Sequence, residues 1–237
     1  MSLEITDLHK RFGTVQALDG ISFVARPGQV FGFLGANGAG KTTTMRILLG
    51  ILHADSGSTT WAGAPTADAP KSTWGYLPEE RGLYPRMRVL DQLVFIGSLH
   101  GLSRPEAARR ARVWLDRFRI PHYAGRRAEE LSKGNEQKIQ FIAAILHDPD
   151  VLLMDEPFTG LDPVNVALLR AAFLEFRDRG KAIVFSTHQM EMVEELCDAI
   201  AIIDKGRVVV SGGCLASPTA VVAGGSLTAT TESPPNS

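Results

Sequence analysis

Apolar residues fall along the chain in two kinds of run, and the two kinds predict different elements. Near the N-terminus, Leu3 and Ile5, then ISFVA (residues 21–25) and QVFGFLG (residues 29–35), are short and β-rich, set apart by Gly13, Gly20 and Pro27-Gly28. Such runs, bounded by turn formers, predict strands. From Lys41 onward, Met45, Ile47, Leu48 and Leu49 keep a helical spacing that Gly50 closes. From about Asp91 to Leu131 the pattern is helical again, with Ser103, Arg104, Pro105 and Glu106 forming a capping-box start that tolerates proline in the first turn. Strand-like runs then return as VLLMD (151–155), AIVFS (182–186) and AIAIID (199–204), with helix-length stretches between them. Nearly continuous apolar strands alternating with helices predict an α/β class with a parallel sheet covered by helices.

Composition narrows this picture. A chain of 237 residues, 44% hydrophobic, suffices for one well-buried α/β domain or one domain with a smaller lobe. With 25 basic and 26 acidic residues the net charge is -1, so there is no global positive field to hold phosphates, and no nucleic acid is expected as a partner. Cys197 and Cys214 stand too far apart for a CxxC pattern and read as reduced thiols. Nothing supports a disulfide between them. The segment MSLEITDLHKRFG lacks a signal-peptide core, and no apolar stretch reaches spanning length, so the chain is expected neither to be secreted nor to cross a membrane by its own sequence. After Arg207 there is no Lys or Arg, and residues 212–237 are mostly Gly, Ser, Thr, Ala and Pro with Glu232 as their single charge. That segment reads as a disordered tail, since it has little apolar surface to offset its ordering entropy.

Two motifs carry chemistry. Gly35-Ala36-Asn37-Gly38-Ala39-Gly40-Lys41-Thr42 matches GxxxxGK[ST] between a buried strand and a helix. Its glycines let backbone N–H groups turn toward phosphates and the helix N-terminus adds its dipole; Lys41 reaches the β- and γ-phosphates and Thr42 ligates Mg²⁺. The expected nucleotide contacts are Gly35, Asn37, Gly38, Gly40, Lys41, Thr42 and Thr43. The run Val151-Leu152-Leu153-Met154-Asp155-Glu156 puts two carboxylates at the C-terminal edge of a buried strand, Asp155 to hold Mg²⁺ and Glu156 to orient or deprotonate the attacking water. An acidic pair often merely ends a strand, and the phosphate loop is what lifts it above that reading.

With Leu131-Ser132-Lys133-Gly134-Asn135 added, the residues from Leu3 to Ser211 resemble the ATP-binding cassette (ABC) family, whose LSGGQ-type signature this motif matches. The resemblance implies a P-loop ATPase core over 1–211 with a small antiparallel β portion and an inserted helical lobe at about 88–145. It implies that Ser132 and the N–H groups near Gly134 meet the γ-phosphate bound by another subunit, a helix N-terminus facing an anion. Gly160-Leu161-Asp162 resembles the D-loop that communicates across the dimer, and His188 resembles the switch histidine. Each alone has an ordinary alternative, since Asp162 before Pro163 is also a sound helix N-cap and a histidine after a strand is commonly a surface one. Phe12 occupies the position of the family's adenine-stacking aromatic, where a ring buried for packing is the alternative. The implied ligands are ATP and Mg²⁺. The implied partners are a transmembrane permease subunit and a second ABC ATPase subunit, as a homo- or heterodimer, at the cytoplasmic face of the membrane.

The chain departs from the family pattern at defined places. Tyr76-Leu77-Pro78 is followed by Glu79 and Glu80 where the family has Gln; Glu79 keeps an oxygen for Mg²⁺ or water while adding negative charge beside the γ-phosphate. In the signature, Lys133 stands for Gly and Asn135 for Gln. LSKGN together with the segment 75–85 resembles the branch serving drug, sodium and other small-solute exporters; that branch carries a further C-terminal accessory domain, where this sequence has residues 212–237, read either as a natural tail or as a truncated or frameshifted accessory region. Tyr84, Pro85 and Met87 beside the Glu79 loop are candidate contacts for the membrane partner, with local packing as the alternative reading. Rival readings are a soluble ABC ATPase acting on DNA or ribosomes, disfavoured by the absence of long coiled coils and of a second cassette, and a non-hydrolysing cassette, disfavoured by Lys41, Thr42, Asp155, Glu156 and His188.

Overall fold

The computed structural model of the chain describes residues 1–80 and 82–213 and the backbone of 220–222. In chain order the elements are β1 (Leu3–Phe12), β2 (Val15–Ala25), β3 (Gln29–Gly35), α1 (Lys41–Leu48), β4 (Ser56–Trp61), β5 (Ala64–Pro65), β6 (Trp74–Leu77), α2 (Val89–Leu99), α3 (Arg104–Arg117), α4 (Lys133–Ile145), β7 (Val151–Asp155), α5 (Pro163–Asp178), β8 (Ala182–Thr187), α6 (Met190–Leu196), β9 (Ala199–Asp204), β10 (Arg207–Gly213) and β11 (Ala220–Val222). They form an antiparallel sheet ordered β2-β1-β4-β5 and a larger sheet ordered β11-β10-β9-β3-β8-β7-β6. In the larger sheet β9, β3, β8, β7 and β6 run parallel, while β10 and β11 are antiparallel.

The unbroken apolar runs make sense because the parallel strands are covered on both faces. Leu152, Met154, Ile183 and Phe185 point into a core shared with α2 to α6, whereas Val151, Leu153, Ala182 and Val184 point into a core shared with α1 and the small sheet. Each strand thus alternates between two apolar layers. The first layer is rich in rings, with Phe158, Phe173 and Phe185 meeting edge-on or tilted within 5.8 Å; each such buried aromatic contributes about 1.5–3 kcal/mol by area alone.

Some boundaries differ from the sequence reading. Gly20 does not separate strands; it lies inside β2 at φ 83, where the register slips between Leu8↔Ile21 and His9↔Asp19, so it serves a bulge. β6 has no counterpart among the predicted strands: it is short, and its Gly75 lets α4 pass so close that an added Cβ would run into the Ala144 carbonyl. Gly212 and Gly213, placed in the predicted tail, continue β10, and Ala220–Val222 pairs with it through Val210↔Val222 because the backbone ladder there needs no side-chain burial. Residues 214–219 and 223–237, including Cys214 and Glu232, lie outside the described residues. Cys197 is buried.

Candidate functional site

The parallel strands β3, β7 and β8 end on one edge of the sheet, the edge where α/β proteins gather ligands. From β3 the chain turns through Gly38 and Gly40, both at positive φ, into α1. Gly40 is the N-cap, at φ 111 and ψ 0, and a side chain there would meet Leu18 Cδ2 at 2.6 Å and the Ala17 carbonyl at 2.8 Å. No side chain caps α1, so the N–H groups of its first turn remain for an anion.

The side chains that follow lock together beneath this turn. Lys41 Nζ donates to the Gly35 carbonyl at 2.6 Å and the Ala36 carbonyl at 3.3 Å, and lies 3.5 Å from Glu156 Oε1. Thr42 Oγ1 donates to Asp155 Oδ2 at 2.5 Å, while Ser186 Oγ donates to Asp155 Oδ1. Asp155 is wholly buried, which its hydroxyl partners from α1 and β8 make tolerable.

Glu156 is held more tightly than the end of a strand requires. Its backbone sits at φ 51, a left-handed conformation costing a non-glycine residue about 1–2 kcal/mol. Its N–H bonds to Ser186 Oγ at 3.1 Å and to the Ser186 carbonyl at 3.2 Å. Its Oε1 accepts from His188 Nδ1 at 2.9 Å and its Oε2 from Thr159 Oγ1 at 3.3 Å. With the carboxylate ionised, the His188 proton resides on Nδ1. Ser186 and Thr159 were not singled out for this role in the sequence reading; a hydroxyl at the end of AIVFS was the available signal for the first.

The cleft over the phosphate loop has a volume of about 230 Å³ and is walled by Ala17, Asn37, Lys41, Thr42, Thr43 and Glu79 among others. On the loop's other flank Gly35, Asn37, His188 and Met190 border a second depression of about 510 Å³. Thr42 and Asp155 present hard oxygen donors side by side, and Glu79 shares the cleft wall with Thr42; oxygen donors of this kind suit Mg²⁺. Among the predicted residues, Phe12 stands outside both walls: it is 45% exposed at the end of β1, with Lys10 Nζ 5.4 Å from its ring centre.

Ser132, Gly134 and Asp162 also lie outside the cleft and gather elsewhere. Ser132 caps α4 by accepting from the Asn135 N–H at 3.4 Å, and Asp162 caps α5 by accepting from the Asn165 N–H at 3.0 Å. A Cβ on Gly134 would stand 3.8 Å from Leu161 Cδ2 and 4.0 Å from the Gly160 carbonyl, so the signature and the Gly160-Leu161-Asp162 turn share one patch. Lys138, one turn further along α4, donates to the Phe118 carbonyl at 3.3 Å, and burial pushes its amine down despite the opposing pull of Asp162.

A third feature is an apolar groove of about 320 Å³ between α1, β6, α2 and α4, lined by Ile51, Trp74, Tyr76, Leu83, Ile96 and Gln140 among others. Ile51, Tyr84 and Leu99 are largely exposed. Tyr84 packs edge-on against Phe95 at 6.1 Å. None of the described helices is long and apolar enough to cross a membrane.

A family model described as ABC transporter matches residues 18–159. An uncharacterized ABC transporter ATP-binding protein, YhaQ of Bacillus subtilis (strain 168), is 51% identical over 210 residues, covering 89% of this chain and 70% of that protein. The Nod factor export ATP-binding protein I of Paraburkholderia xenovorans (strain LB400) is 36% identical over 225 residues, covering 94% of this chain and 73% of that protein. Among solved structures, an ATP-binding subunit of an ABC transporter superposes with a TM-score of 0.83 at 31% identity, covering 90% of each chain.

Proposed function

The chain belongs to the ABC transporter family as an ATP-binding protein, and from that premise we propose that it hydrolyses ATP between paired cassettes to drive a separate membrane-spanning subunit, as an exporter. The observation that carries this reading is the single network joining Lys41, Thr42, Asp155, Glu156, Ser186 and His188 beneath an uncapped helix start. A cassette retained only for binding has no use for a carboxylate held on both oxygens at a strained backbone position.

Lys41 and the N–H groups from Gly38 to Thr43 bind and orient the phosphates of ATP, and Phe12 stacks on the adenine. Thr42 and Asp155, with Glu79, hold Mg²⁺, which when bound supplies charge neutralisation at the phosphate oxygens. Glu156 accepts the proton of the attacking water or fixes its direction, and His188, bonded through Nδ1, keeps that carboxylate aimed. Ser132 and the N–H groups near Gly134 of a second cassette approach the γ-phosphate from the opposite side. Most of the rate enhancement comes from this preorganised positive potential rather than from proton abstraction.

The apolar groove and the exposed Tyr84 support docking of the permease against the helical lobe and the Glu79 loop. Relatives named for Nod factor export and linearmycin resistance support the direction of transport. Replacing Glu156 with Gln tests the chemical core: the variant is expected to bind ATP, lose turnover by at least about a hundredfold, and elute as an ATP-bound dimer in size-exclusion with ATP and Mg²⁺. Hydrolysis at the unmutated rate would remove Glu156 from this role.

A further inference from the structure

Helix α4 begins at the signature and ends beside the apolar groove, and along it two glutamines reach away to the loops that carry the site's carboxylates. Gln137 Nε2 donates to the Pro157 carbonyl at 3.0 Å, one residue beyond Glu156. Gln140 Nε2 donates to the Glu80 carbonyl at 3.3 Å, one residue beyond Glu79. A spacing of three residues puts both amides on neighbouring positions of one helix face. Gln140 is buried and also lines the groove. The two loops follow the neighbouring strands β6 and β7, and α4 reaches both.

We infer that Gln137 and Gln140 are positioning residues through which α4 sets the Glu79 and Glu156 carboxylates together, so that a shift of this helix is felt at both. The inference rests on the proposed ATPase function and deepens it by assigning its regulation to α4. The physical basis is simple. A carbonyl can only accept, and each glutamine supplies an N–H donor that links the loop to a helix packed against α2, α3 and β6. Glu156 is already fixed from β8 by Ser186; Gln137 adds a restraint from the helical lobe, which makes the carboxylate responsive to that lobe. Gln140 does the same for the Glu79 loop, from a position in the groove wall. Because the signature lies at the start of the same helix, contact of Ser132 and Gly134 with an ATP phosphate and occupation of the groove both act on one rigid element.

The test uses the full-length chain with Gln137→Met and Gln140→Met, which keep length and neutrality but remove the donor, and Gln137→Glu, which donates only when protonated. Both Met variants are expected to bind ATP with unchanged Kd and to melt within about 4 °C of the unmutated chain, while kcat falls about tenfold because a misplaced carboxylate acts on turnover rather than binding. Gln137→Glu is expected to show the same loss at pH 8 and to regain part of it, relative to the unmutated chain at the same pH, at pH 5.5. Wild-type kcat in the Met variants, or a loss matched by lost ATP affinity or melting temperature, would overturn the inference in favour of a structural role. An unmutated chain that binds ATP without hydrolysing it would contradict the proposed function instead; the tether is then read from hydrogen exchange, where unchanged protection of the Glu79 and Glu156 loops in the Met variants would overturn it and faster exchange would support it.

Discussion

Around the phosphate loop, side chains from α1, β7 and β8 answer one another within a single chain: Thr42 and Ser186 bond to Asp155, and Lys41 and His188 meet Glu156. At the start of α4 the arrangement is different. Ser132 is exposed and caps its own helix, Gly134 borders the Gly160-Leu161 turn and Asn165, and neither residue belongs to the phosphate cleft. One region is a closed network and the other an exposed helix start. The contrast fits the proposed pairing of cassettes, in which the second region would meet the phosphate held by another copy.

The largest expected effects separate these regions by which step they abolish. Lys41→Ala removes the phosphate-binding cation and is expected to abolish measurable ATP binding. Gly134→Asp is expected to leave ATP affinity in the single chain nearly intact while eliminating turnover, because its charge opposes the incoming γ-phosphate. An acid in a first helical turn favours the helix, and the space around Gly134 admits a side chain, so the fold should survive. Loss of ATP binding by Gly134→Asp, measured by equilibrium titration, would place the signature in the cis site and break the contrast.

A smaller effect is expected at Glu79, whose carboxylate shares the cleft with Lys41 and Thr42. Relieving its charge in Glu79→Gln should retain hydrolysis and tighten ATP binding severalfold, on the order of one charge interaction across a solvated cleft. A large drop in turnover with binding unchanged would show that the chemistry uses the charge.

The smallest effect concerns the wall between groove and core, where His147 stacks on His100 at 3.7 Å and bonds through Nε2 to the Trp74 carbonyl at 3.1 Å. Burial, and then the neighbouring His100, push His147 down from 6.5 to about 4. The unfolded chain therefore binds a proton below about pH 6.5 that the folded chain refuses until about pH 4, so this residue's contribution to stability is present at neutral pH and is lost as pH falls through that window. Replacing His147 with Phe should cost melting temperature at pH 7.5, and the gap to the unmutated chain should shrink by about 5–10 °C by pH 4.5. A gap that is independent of pH would remove His147 as a source of the acid sensitivity.

The sequence was most informative where a local pattern dictates backbone shape. The glycines of the phosphate loop, the apolar run ending in Asp155-Glu156, and Asp162 before Pro163 each identify an element and its end without tertiary information. Contacts that join distant segments were not legible: nothing near Ser186 indicates that it bonds both Asp155 and the Glu156 N–H, and nothing near Gln137 points to Pro157. β6 escaped because Trp74-Gly75-Tyr76-Leu77 is too short for a periodic signal and becomes a strand only by pairing with β7. The left-handed backbone of Glu156 was hidden for a related reason, since no residue type there announces it and the surrounding bonds impose it.

Mixing Lys41→Ala chains with Gly134→Asp chains, each inactive alone, tests the division of the site most directly. If one chain's phosphate loop works with another chain's signature, half of randomly assorted dimers are mixed and each contains one intact site, so ATPase activity should reappear at roughly a quarter of the unmutated rate. A mixture that stays as inactive as its components would contradict completion of the site by a second copy.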